Sequence, residues 1–89
     1  MRSEMETILK EEFRLLALRT RQDLGLTQDK MSELLVMSER SYSDIENGHS
    51  ACGTLTAMLL LIYTDEPERF IQNVQEQFAR VGTGEKMTV

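Results

Sequence analysis

Residues Gly25–Gly48, GLTQDKMSELLVMSERSYSDIENG, decide the fold. After Leu26 and a Thr27-Gln28 start, apolar side chains fall at Met31, Leu34 and Leu35. That is helical spacing, and it leaves Asp29, Lys30 and Glu33 outside. The connection Val36-Met37-Ser38 is short, and Ser38 is a good N-cap because its hydroxyl can accept from a backbone N–H one turn on. A second helix, Glu39 to Asn47, turns Tyr42 and Ile45 inward and stops at Gly48, a natural C′ residue. Its other side is an exposed polar face.

The rest of the chain is helical too. Helix 1 is expected from about Glu4 to Leu24, with Leu9, Phe13, Leu16, Ala17, Thr20 and Leu24 on one stripe and Ile8, Leu15 and Leu18 on another. Helices 2 and 3 are the pair above, and His49 to Gly53 is a loop. Thr54 begins a helix to about Tyr63, so rich in Leu and Met that it is expected to be mostly buried. Asp65-Glu66-Pro67-Glu68 starts helix 5, which carries Phe70, Ile71, Val74 and Phe78 on one side and should end near Val81 at Gly82-Thr83-Gly84. This gives one all-α domain over residues 1–81, with its core in 13–62, a C-terminal helix at about 66–81 and a flexible tail at 82–89.

Composition narrows the function. Eighty-nine residues allow one modest core, and 40% hydrophobic with 28% charged is ordinary for a globular protein. The longest apolar run, Ala57 to Tyr63, is far short of the roughly 20 residues of a membrane span. The start MRSEMETILKEE lacks the apolar centre of a signal peptide. Cys52 stands alone, without a disulfide partner, metal cluster or base, and His49 has no second ligand nearby. A cytoplasmic protein with no cofactor is expected, and the lack of any catalytic constellation, Gly-rich phosphate loop or metal spacing argues against an enzyme.

Two short helices crossing over a tight turn form a helix-turn-helix, whose second helix can enter the major groove of DNA. Charge pulls the other way. The chain has 15 acidic and 10 basic residues, a net −5, and Arg19–Gly48 alone carries four basic against six acidic side chains. Non-specific affinity for DNA comes from neutralised phosphates, so it must be weak here. Specific reading by a dimer that aligns a few cations remains open.

The entry Gly25-Leu26-Thr27-Gln28, small Ser32, Ser38 at the turn, Ile45, Glu46-Asn47-Gly48 and the later Thr54-Leu55 with Met58 together resemble the Cro/C1 (XRE-type) regulators of phages and bacteria. The resemblance covers about residues 13–62. It implies a five-helix, lambda-repressor-like domain that binds double-stranded operator DNA as a homodimer and regulates transcription, most often as a repressor. It also implies that Gln28 bonds a phosphate, that Glu39, Arg40 and Asp44, with Ser43 beside them, face the base edges, that Asn47 approaches the backbone, and that Ser38 at the turn belongs to the DNA-binding set. Arg21 matches a position that pairs with the glutamate matching Glu46.

Four departures stand out: Val36 where the turn glycine is usual, Tyr42 where a branched aliphatic is usual, no proline before helix 4, and acidic Glu39 and Asp44 on the reading face.

Each site residue also has a plainer reading. Arg40 could take guanine O6/N7 in the bidentate contact that is commonest in DNA recognition, or pair with Glu39 or Asp44. Glu39 could accept from cytosine N4 or simply suit the helix dipole. Gln28 could be an ordinary first-turn residue, Asn47 an ordinary helix end, and Ser41 and Ser43 solvated. A rival for the whole chain is a protein-interaction module on the same fold, such as an antitoxin that binds a partner toxin.

Overall fold

The computed structural model of the chain describes residues 2–86, with side chains placed to Val81. Five helices follow in order: α1 (Arg2–Leu24), α2 (Gln28–Leu34), α3 (Glu39–Glu46), α4 (Thr54–Tyr63) and α5 (Pro67–Lys86). No strand occurs among the described residues.

Local chemistry explains where the short helices begin. Thr27 Oγ1 accepts from Lys30 N at 3.2 Å, and Ser38 Oγ accepts from Ser41 N at 3.1 Å. Each cap therefore satisfies one backbone donor that the helix itself cannot. Leu26 and Met37 precede the caps, Met31 and Tyr42 stand four residues inside, and all four belong to the core or pack against it. These are the positions of a hydrophobic staple, which fixes the angle at which the chain enters a helix.

The ends of α1, α2 and α3 share one hydrogen-bond pattern. Leu26 N reaches Arg21 O at 3.0 Å, Met37 N reaches Ser32 O at 3.0 Å, and His49 N reaches Asp44 O at 2.8 Å. Each is a Schellman closure, which needs left-handed backbone at the residue just before the donor. Gly25 (φ +69°) and Gly48 (φ +78°) supply it without cost from a Cβ, whereas the third position is Val36 at φ +58°. The turn thus keeps its glycine geometry with a β-branched residue, a genuine strain.

The core gathers Leu16 and Ala17 of α1, Met31, Leu35, Tyr42, Ile45, Leu60, and Phe70 and Val74 of α5. Phe13 meets Phe70 with ring centroids 4.7 Å apart. The Glu12 carboxylate accepts from Asn73 Nδ2 and Gln77 Nε2, both at 2.7 Å, and clamps α1 to α5.

The structure corrects three expectations. Helix α4 is not mostly buried: Thr56 and Leu60 are, but Leu55, Met58 and Ile62 are 63%, 53% and 69% exposed. A ten-residue helix laid against α1 can hide only one line of side chains, and its composition gave no polar face to reveal the other. Helix α5 does not end at Gly82 but runs through Gly84 to Lys86. Glycine in a helix costs roughly 1 kcal/mol, which weakens a helix without breaking it; the expected tail over 87–89 lies outside the described residues. Leu24, placed on the inner stripe of α1, is 47% exposed, because the chain turns away at Gly25 before anything covers it. The second line of α1, Ile8, Leu15 and Leu18, is half-buried.

Candidate nucleic-acid interface

Helix α3 is held from beneath by a buried polar cluster. Glu46, only 8% exposed, is gripped side-on by Arg21, with Nε to Oε2 at 2.6 Å and Nη2 to Oε1 at 3.1 Å. Arg21 Nη1 also donates to the carbonyl of Leu26 at 3.1 Å, just ahead of α2. Gln28 Nε2 donates to Glu46 Oε1 at 2.9 Å. The fully buried Tyr42 hydroxyl lies between the Glu46 carboxylate and the carbonyl of Ala17, 3.2 Å away. One ion pair therefore joins α1, the α2 entry and α3 at a single carboxylate.

Electrostatics follow from those contacts. Burial alone would raise the pKa of Glu46, but hydrogen bonds from Arg21, Tyr42 and Gln28, and the charge of Arg21, hold it below the usual carboxylate value. Burial, then the bond to Glu46, drives the Tyr42 phenol well above its ordinary value. Arg21 is raised by its bond to Glu46 and keeps its charge. The carboxylate is thus ionised, the phenol neutral and the guanidinium charged, which is the set of states that this hydrogen bonding requires.

The outer face of α3 is polar. Glu39, Arg40 and Asn47 are exposed, while Ser43 and Asp44 are half-buried. Among the described residues neither Arg40 nor Glu39 has an ion-pair or hydrogen-bond partner for its side chain. Local pairing, the plainer reading of Arg40, does not occur: its guanidinium keeps all its donors. Asp44 has His49 Nδ1 at 3.8 Å, an ion pair only when the imidazole is protonated. Asn47 Nδ2 donates to Ser43 Oγ at 3.2 Å, so those two occupy each other. Ser38 is spent on its cap and on the Ser41 hydroxyl, 2.9 Å away.

Gln28 sits apart from that face, half-buried at the first position of α2. With Glu46 accepting one of its two amide hydrogens, the other remains available. Sequence reasoning missed this bond, and it missed the part of Tyr42. The four-residue step from Tyr42 to Glu46 was a usable signal, since it puts both on one helix face. The link from Gln28 to Glu46 spans 18 positions and had none. Arg14 was also missed; its Nη1 reaches the Glu46 carbonyl at 3.4 Å, while its Nη2 pairs with Glu11 at 2.7 Å. Burial pushes the Cys52 thiol up to about 11, away from the thiolate form in which cysteine acts as a nucleophile.

Comparison with curated proteins and with solved structures gives no match. A helix-turn-helix family profile does match, over residues 18–71, well over half of the chain. That segment runs from the second half of α1 into α5 and contains the whole α2–turn–α3 unit with the cluster beneath it. On this match and this architecture, the chain belongs to the Cro/C1-type helix-turn-helix family of DNA-binding regulators.

Proposed function

We propose that the protein is a transcriptional repressor that occupies a short, two-fold symmetric operator as a homodimer. The observation that carries this reading is Arg40: a guanidinium without a partner among the described residues, on the outer face of a helix whose inner face is locked by Glu46. A bidentate donor on a fixed helix is what reading guanine O6/N7 in the major groove demands. In this reading Glu39 accepts from a cytosine N4–H₂, and Ser43 and Asp44 lie along the base edges. Ser38 sets the register of the helix, and Asn47 approaches the backbone past the groove. Gln28 donates its remaining amide hydrogen to a phosphate. No cofactor takes part.

Selection from a random pool of duplexes at low and moderate salt tests it. The expected product is a palindrome with half-sites about one helical turn apart, each holding a guanine that Arg40→Ala no longer prefers. A pool that stays random at both salt concentrations would overturn the reading.

One observation favours a second reading. Glu39 is exposed and uncompensated, and beside phosphates that is a cost. A module that binds a basic protein partner, as an antitoxin binds a toxin, would use the same carboxylate to advantage. Retention of such a partner by the wild-type chain, lost in Glu39→Gln, would support it.

A further inference from the structure

We infer that two copies of this chain meet through the exposed face of α4. This rests on the homodimer proposed above and names its surface. Leu55, Met58 and Ile62 are 63%, 53% and 69% exposed and stand three and seven residues apart. That spacing is the a–d–a step of a helix-pairing seam, on a line about 10 Å long. A second helix laid across it at a shallow angle would cover all three side chains.

Three arguments make the occupant a second copy. The first is charge. Helix α4, TLTAMLLLIY, has no charged side chain, in a protein with 28% charged residues and a net −5. In a two-fold contact a surface meets its own copy, so a charge near the axis would face its like. The second is the alternative surface. The outer side of α5 presents Glu68, Arg69, Glu76 and Arg80, all exposed, around a single large exposed hydrophobic, Ile71. Of its other large apolar residues, Phe70 and Val74 are buried, Phe78 packs against the core and Val81 is half-buried.

The third is area. Three large apolar side chains in one line amount to a patch on the order of a few hundred Å². That is less than the roughly 800 Å² per partner of a standard stable interface. Such a patch suits a weak pair that becomes firm when both copies are held on adjacent half-sites, where each raises the effective concentration of the other.

Sedimentation of the full chain tests this. At about 100 micromolar the wild type should be largely dimeric and dissociate on dilution. Because the contact is apolar and both partners are acidic, pairing should tighten from about 0.05 to 0.5 M salt as repulsion is screened. Met58→Glu and Ile62→Glu, both at exposed positions, should be monomeric with unchanged thermal melts, and Ile71→Glu should remain dimeric. A monomeric wild type across this salt range, loss of pairing only in Ile71→Glu, or dimers that weaken with salt would each overturn the inference.

A single half-site duplex separates this from the DNA reading. If Met58→Glu binds it as the wild type does but loses cooperative binding to the full palindrome, both stand. If the wild type pairs through α4 and binds no duplex, the pairing stands and the DNA reading falls.

Discussion

Arg21 and Glu46, twenty-five positions apart, meet as a two-pronged ion pair with one carboxylate and one guanidinium face to face. Glu46 is almost wholly buried, and Arg21 retains only a fifth of its side-chain exposure. A pair so placed contributes little net stability over an apolar substitute, since both ions lose water. Its removal by halves is another matter. Glu46→Ala leaves the guanidinium without its counter-charge and the Tyr42 hydroxyl with only the Ala17 carbonyl, and should lower stability by about 2–4 kcal/mol. In a domain of this size that corresponds to a fall in Tm of about 10 °C or more, read by circular dichroism. A change of a degree or two would show that the pair carries no weight.

Acid should act through the same carboxylate. Its folded pKa is depressed, so the native state binds fewer protons than the unfolded chain while pH lies between the folded value and the ordinary carboxylate value of about 4.5. The stability from Glu46 is therefore fully present above that range and is lost as pH falls through the folded value. Glu46→Gln should be less stable than the wild type at pH 7, with a shallower loss below about pH 4.5. Urea midpoints taken across pH 3–7 on both proteins check this; parallel acid limbs would exclude Glu46 as the responsible group.

Val36 offers the opposite kind of test. Its φ of +58° is left-handed and the residue is 77% exposed, so the strain brings almost no burial in return. Left-handed backbone costs an ordinary residue roughly 1–2 kcal/mol, against roughly 0.5–1 kcal/mol of extra unfolded-state entropy for glycine. Val36→Gly should thus stabilise the protein by about 0.5–1 kcal/mol, visible as a higher urea midpoint with an unchanged slope. A lower midpoint would mean that the valine makes a compensating contact.

What the sequence made legible follows a physical line. Ser38 and Gly48 act through bonds to their own chain neighbours, and such caps can be read from order alone. The polar face of α3 was legible for the same reason, because 3.6-residue periodicity separates Arg40 and Asn47 from Tyr42 and Ile45. What was hidden depends on distant neighbours. TLTAMLLLIY is apolar all round, and only the packing of α1 decides which line it buries. The free state of Arg40 was hidden too: Glu39 and Asp44 lie close enough in sequence to pair with it, and rotamers rather than spacing decide that they do not.

The reading of DNA brings the acidic balance to a measurable point. A chain at −5 displaces few counterions when it binds, so log K should fall with log[salt] on a slope clearly shallower than the value near −10 of strongly basic dimers. Discrimination must then rest on base edges, and Arg40 is the one cationic side chain on the outer face of α3. Arg40→Ala should cost about 1–3 kcal/mol per half-site and relax preference at one guanine in each. Glu39→Gln should separate from it. Removing an unpaired negative charge raises affinity for every duplex, while a cytosine contact, if made, loses its charged acceptor and with it some selectivity. Titrations of both variants against the selected operator and a scrambled duplex give four affinities. If Arg40→Ala leaves both of its affinities unchanged, groove reading by α3 is wrong, and the acidic face belongs to a protein partner instead.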